Sequence, residues 1–166
     1  MPWLFDPAPT PALPVLANER AFPVGRIWCV GRNYAAHTRE MGADPARDPP
    51  FFFAKPASAL VAVGSHGGST VQYPIATRNL HHEVELVVAI GRRAERGAGN
   101  PLDWIAGLAV GLDLTRRDIQ AGLKEKGLPW EMAKAFDGSA VCGELTVIDP
   151  ATVLRPDAAI RLWVNG

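Results

Sequence analysis

The run His81-His82-Glu83-Val84-Glu85-Leu86-Val87-Val88-Ala89-Ile90 constrains this chain more than any other stretch, because it sets two carboxylates on one face of an otherwise apolar strand. Strand side chains alternate with a period of two, so Glu83 and Glu85 point the same way as His81. Val84, Leu86, Val88 and Ile90 line the opposite face, which is the expected core surface. Two like charges held side by side cost free energy unless a cation or a shared proton neutralises them. A divalent metal meets that need. A half-exposed sheet with both glutamates in water is the alternative that the spacing leaves open.

A third oxygen ligand is available further on. Trp104 to Leu112 reads as a buried strand that runs straight into Asp113, and a helix begins in Leu114-Thr115-Arg116-Arg117-Asp118-Ile119-Gln120. Thr115 and Asp118 have capping-box spacing, and Gly127 stops the helix just after Lys124 and Lys126. Asp113 is therefore expected to project from a strand end. Three carboxylates without a nearby cysteine pattern favour a hard six-coordinate ion, Mg²⁺ or Mn²⁺, over zinc.

A second constellation lies upstream. His37 and Glu40 are three apart in Asn33-Tyr34-Ala35-Ala36-His37-Thr38-Arg39-Glu40, so on a helix they share a face and can hydrogen bond. A carboxylate that holds one imidazole nitrogen raises the basicity of the other, which is how a water is activated. An ordinary surface His/Glu pair has the same spacing. Lys134 sits among apolar residues, where an isolated lysine near an anionic metal site can bind a substrate carboxylate or stabilise an enolate, or can snorkel to the surface. Lys55 and Arg32, each at the end of an apolar strand, carry the same two readings.

The 166 residues suffice for one domain with a real core, and 48% of them are hydrophobic. Formal charge is zero, and neither a basic stripe nor a Lys/Arg block is present, which argues against nucleic-acid or anionic-membrane partners. Cys29 and Cys142 are too few and too isolated for a disulfide framework or a cysteine zinc site, and fit a reducing cytoplasm. No stretch is long enough to span a bilayer, and the start of the chain lacks signal-peptide features.

Residues 1–25 are expected to form an extended arm broken by Pro2, Pro7, Pro9, Pro11 and Pro14, and residues 26–166 a catalytic domain. Arg26 to Val30, Phe51 to Ala54 and Val71 to Tyr73 read as short strands, and a brief helix begins near Asn33. Gly64 to Ser69 and Gly91 to Pro101 read as turns and surface connections, with neither a Walker pattern nor a helix-opening GxGxxG. Ile160, Leu162 and Val164 alternate as in a strand, and Asn165-Gly166 is a preferred two-residue hairpin turn with no returning strand after it. The domain is accordingly expected to be incomplete at its C-terminal end. The fold class is mixed α/β, rich in strands, rather than a doubly wound sheet.

Five ordered segments resemble the fumarylacetoacetate hydrolase family: Val30-Gly31-Arg32-Asn33-Tyr34 with His37 and Glu40; Phe53-Ala54-Lys55-Pro56; Asn79 to Glu85; Gly111 to Gln120; and Gly127-Leu128-Pro129-Trp130 with Lys134. The resemblance implies that family's mixed β-sandwich roll and a homodimer. It implies Glu83, Glu85 and Asp113 as Mg²⁺ or Mn²⁺ ligands, His37 and Glu40 as the water-activating dyad, and Lys134 as an electrophilic group. Arg32, Lys55 and Gln120 are the substrate-binding candidates. Arg116-Arg117-Asp118, Trp130-Glu131 and Lys134-Ala135-Phe136-Asp137 look most like bacterial fumarylpyruvate hydrolases of aromatic degradation. Family members usually continue through a Gly-Asp and a Thr-Gly-Thr-Pro-Gly-rich segment that is absent here.

The implied activity is metal-dependent hydrolysis of a carbon–carbon bond in a 2,4-dioxo acid such as fumarylpyruvate. Two alternatives are carried forward. One is decarboxylation or tautomerisation of oxaloacetate by the same metal–enolate chemistry, and the other is a non-catalytic truncated remnant.

Overall fold

The structure is a computed structural model that describes residues 2–31, 33, 51–64, 68–97, 99–149 and 158–166. In chain order the described strands are β1 (Ala12–Pro14), β2 (Ala21–Pro23), β3 (Ile27–Gly31), β4 (Phe51–Lys55), β5 (Leu60–Ala62), β6 (Leu80–Ile90), β7 (Ile105–Arg116), β8 (Ala140–Cys142) and β9 (Thr146–Val147). Helix α1 spans Arg117–Glu125 and the single-turn α2 spans Glu131–Lys134, with short 3₁₀ turns at Ala57–Ala59 and Pro101–Trp104.

The frame is the antiparallel pair β6–β7, which runs in register from Leu80↔Arg116 to Ala89↔Gly107 before a bulge at Ile90. β8 adds antiparallel to the Gly111–Asp113 end of β7, β9 pairs further along it at Gly107 and Leu108, and β5 adds parallel to β8. Two antiparallel strand pairs pack beside this sheet, β1–β2 and β3–β4. The first lies in the stretch expected as an extended arm, and it contributes Leu13, Val15 and Val24 to the core.

The core lies on the other side of the sheet from the one expected. Ala89, Ala109, Cys142 and Leu145 form its centre with Leu13, Val15 and Val24, and Val87 packs against them. By strand alternation Val87 and Ala89 share the face of Glu83 and Glu85. Leu86, Val88 and Ile90, expected to be the buried face, are instead 45%, 42% and 53% exposed. The carboxylates can face inward because cations meet them there. Leu145, only 1% exposed, crosses close over β7: a Cβ added at Gly107 would fall 2.6 Å from the Thr146 carbonyl oxygen and 2.9 Å from Leu145 Cγ.

Other expectations also change. β7 continues through Arg116, so Asp113 lies inside a paired strand rather than at its end. Thr115 is a fully buried strand residue whose hydroxyl donates to the Asp113 carbonyl, so the capping box does not form. The helix stop does hold. Gly127 has φ +63°, its N–H reaches the Lys124 carbonyl, and the Leu128 N–H reaches that of Leu123, a Schellman closure. Residues 71–73 and 160–164 belong to no strand among those described. An alternating pattern becomes a strand only where a neighbouring backbone takes its hydrogen bonds. Asn165 and Gly166 both have positive φ, as their turn preference anticipates.

Candidate active site

Register and pleat assemble the acidic side of the site. Glu83 on β6 is the direct partner of Asp113 on β7, and Glu85 lies one pleat along on the same face, opposite Gly111. Cross-strand partners bring their Cβ atoms to roughly 5 Å, so two carboxylates meet by backbone geometry alone.

The basic side comes from three other elements. Lys134, the last residue of α2 and only 2% exposed, places Nζ 2.7 Å from Glu83 Oε2 and 2.7 Å from Asp113 Oδ2. Lys55, at the end of β4 and 3% exposed, sits 2.9 Å from Asp113 Oδ1 and donates to the carbonyls of Leu114 and Lys134. Arg117, the first residue of α1, fans its guanidinium over three acceptors: Glu83 Oε1, Gln120 Oε1 and His81 Nδ1, the last at 3.2 Å. An imidazole nitrogen that accepts from arginine is unprotonated, which fixes the His81 tautomer. Desolvation and the Arg117 charge hold its pKa below the usual histidine value.

Apolar walls strengthen these pairs. Phe51, Phe53 and Lys55 alternate on the inner face of β4, and Trp130 closes on the two rings, edge-on to Phe51 at 4.9 Å and tilted to Phe53 at 6.0 Å. The Lys134 ammonium lies 5.0 Å from the Phe53 ring centre, and Arg116 stacks 4.4 Å from that of Phe136. Burial by itself would raise the Glu83 pKa, but Lys134 and Arg117 outweigh it and the net shift is downward. Burial lowers that of Lys55 against the opposing pull of Asp113. Cys29, on the inner face of β3, feels the same charges. Burial first and then Asp113 push its thiol up to about 11.

Of the residues read from sequence, Glu83, Asp113, Lys134 and Lys55 come together directly, and Gln120 joins through Arg117. Glu85 lies on the same face. His37, Glu40 and Arg32 lie outside the described residues. Sequence reading missed Arg117 as a site residue. The available signal was its place on the first helical turn after the Asp113 strand, a turn short of Gln120.

The donor set suits a hard divalent ion in residue type and face. Asp113 Oδ1 is buried with the Lys55 ammonium 2.9 Å away, so this carboxylate is kept ionised as an oxygen donor on the same face as Glu83 and Glu85. Among the described residues, however, no group of three acidic, histidine or cysteine side chains is gathered closely enough to grip an ion as it stands. Lys134 holds the space between Glu83 and Asp113.

Known proteins share this arrangement of chain. Residues 26–166 match the family described as fumarylacetoacetate (FAA) hydrolase C-terminal. The chain superimposes on a Pseudomonas aeruginosa fumarylpyruvate hydrolase, crystallised with Mn²⁺ and pyruvate, with TM-score 0.84 and 48% identity over 93% of this chain and 66% of that one. It is 42% identical to the rat mitochondrial oxaloacetate tautomerase FAHD1 and 38% identical to the Arabidopsis thaliana protein of that name, spanning 66% and 63% of their lengths and 87% and 89% of this chain. No helix among the described residues is long and apolar enough to cross a membrane.

Proposed function

The chain belongs to the fumarylacetoacetate hydrolase family, a family with a divalent metal cofactor, and from that premise we propose that it hydrolyses a carbon–carbon bond in a 2,4-dioxo acid of the acylpyruvate class, fumarylpyruvate foremost. The observation that carries the reading is the charge balance on the inner face of β6–β7. Three carboxylates, Glu83, Glu85 and Asp113, face three cations, Lys55, Lys134 and Arg117, inside an aromatic wall. Adding a divalent ion gives such a site a net positive charge, the complement of a dicarboxylate.

Glu83, Glu85 and Asp113 would hold the divalent ion, whose Lewis acidity would make the pyruvate enolate a tolerable leaving group. The chain's own groups do the rest. His37, oriented by Glu40, takes a proton from the water that attacks the 4-carbonyl. The bond between C3 and C4 breaks, its electrons pass to the pyruvoyl half, and Lys134 holds the developing negative charge until C3 is protonated. Arg117 and Gln120, already joined, present donors to the far carboxylate, and Arg32 is kept as a further substrate-binding candidate. The products are fumarate and pyruvate, and the proposal includes a role in the breakdown of aromatic compounds.

A second reading is favoured by the likeness to the rat oxaloacetate tautomerase. The same enolate chemistry without an attacking water would tautomerise or decarboxylate oxaloacetate. Hydrolysis needs a 4-carbonyl, whereas decarboxylation needs a β-carboxylate. The test is loss of the enol absorbance of fumarylpyruvate with Mn²⁺, with Mg²⁺ and with chelator, with fumarate and pyruvate quantified. Metal-dependent formation of both products supports the hydrolase. Turnover of oxaloacetate alone transfers the assignment to the second reading. The proposal includes a homodimer in the cytoplasm. A monomer in sedimentation at micromolar concentration would remove the dimer, and fractionation away from the cytosol would remove the location.

A further inference from the structure

Resting on the carboxylate seat proposed above, we infer that the Lys134 ammonium is the resident cation between Glu83 and Asp113, which a metal must displace, so that metal loading and release of this lysine toward substrate are one event. The geometry is symmetrical. Nζ is 2.7 Å from Glu83 Oε2 and 2.7 Å from Asp113 Oδ2, and these two residues are cross-strand partners on the β6–β7 frame. Both distances are those of charge-assisted hydrogen bonds, so the ammonium spends two of its three N–H groups on carboxylates of the metal seat. A divalent ion seated between Glu83 and Asp113 would draw on the carboxylates that now hold this ammonium, and two cations that close repel each other.

The surroundings separate what is fixed from what can move. The Lys134 backbone is tied at both ends. Its N–H donates to the Trp130 carbonyl at 2.9 Å, and its own carbonyl accepts from Lys55, which is pinned against Asp113. The Cα is therefore held, and any displacement of the ammonium has to come from rotation about the four methylenes of the buried side chain. The face of Phe53, 5.0 Å from Nζ, is already a cation–π neighbour of the ammonium and lies beside the carboxylate pair. Arg117 is not an equal competitor, because its guanidinium is also committed to Gln120 and His81.

This makes Lys134 a determinant of metal affinity as well as a substrate group. Lys134→Met keeps the methylene bulk and removes the competing charge. Mn²⁺ binding, followed by electron paramagnetic resonance of the free ion, is expected to tighten by about tenfold or more, the scale of one close charge contact. Lys134→Arg keeps a cation and is expected to bind Mn²⁺ no more tightly than the parent. Lys134→Gln serves as the neutral variant if the methionine chain does not fold, as judged by circular dichroism. Weaker or unchanged Mn²⁺ binding by the neutral variants, with the parent binding one ion, would overturn the latch and leave the metal seat standing. Absence of Mn²⁺ binding in parent and variants alike would overturn both.

Discussion

Replacing Lys55 by Met puts the packing of the site to a quantitative test. The ammonium is 1% exposed in its side chain and lies 2.9 Å from a carboxylate that is 10% exposed. At an effective dielectric of about 20, that separation corresponds to roughly 6 kcal/mol of gross attraction. The desolvation of both groups offsets much of it, so the pair is not worth that sum in the folded chain. Truncation is different, because it keeps the buried Asp113 while removing its partner and strips a donor from the carbonyls of Leu114 and Lys134. Breaking a buried pair from one side costs roughly 3–5 kcal/mol. Lys134 still contacts Asp113, which points to the lower end, about 3 kcal/mol. For a chain of this size that is a fall in Tm of about 6–12 °C. Urea unfolding followed by tryptophan fluorescence reads the loss directly, and a cycle with Asp113→Asn isolates the coupling. The double variant should be more stable than the two single losses combined predict. A Lys55→Met loss under about 1 kcal/mol, or zero coupling in the cycle, would refute the view that Lys55 is an internal strut.

Further outcomes follow from the same contacts. Burial holds the thiols of Cys29 and Cys142 at about 11, so at pH 8 only about one part in a thousand is thiolate. Iodoacetamide should label neither in the native chain until it unfolds, and labelling at the free-thiol rate would contradict the packing. The Glu83 carboxyl titrates below its ordinary value, so its contribution to stability is complete above the usual carboxylate range and is lost as the pH falls through the depressed value. The stability gap between the parent and Glu83→Gln should therefore shrink between pH 6 and pH 3 in urea titrations, and a gap that widens would reverse the assignment. At Gly111 an added Cβ would lie 2.8 Å from Val87 Cγ2 and 2.9 Å from the Val141 carbonyl. Gly111→Ala should cost about 1–3 kcal/mol, and a neutral result by thermal unfolding would show that β6, β7 and β8 can separate there.

The parts of the site legible in the sequence were those set by periodicity. Alternation gave Glu83 and Glu85 a common face, and the apolar run before Asp113 announced its strand. Which face of β6 turns inward was not legible, because Val84, Leu86, Val88 and Ile90 look more like a core than Glu83, Glu85, Val87 and Ala89 do. That choice depends on cations delivered from distant elements. Lys134 arrives on a one-turn helix too short to show a period, and Lys55 comes from a strand whose antiparallel mate, Ile27–Gly31, is separated from it in sequence. Arg117 was masked by its neighbour. In Arg116-Arg117 the pattern does not say which arginine stacks on Phe136 and which turns to Glu83. The boundary of β7 was missed for a related reason, since Thr115 serves as readily in a buried strand as at a helix cap.

The account turns on whether Glu83, Glu85 and Asp113 hold a divalent ion that serves a 2-oxo acid. The most direct measurement is a crystal structure grown with Mn²⁺ and pyruvate, with the ion located by anomalous scattering at the manganese edge. The account predicts one strong peak at about 2.0–2.3 Å from oxygens of all three carboxylates, pyruvate bound against it, and Lys134 moved from between Glu83 and Asp113. A peak elsewhere, or a Lys134 that still bridges the two carboxylates with the ion absent, would contradict it.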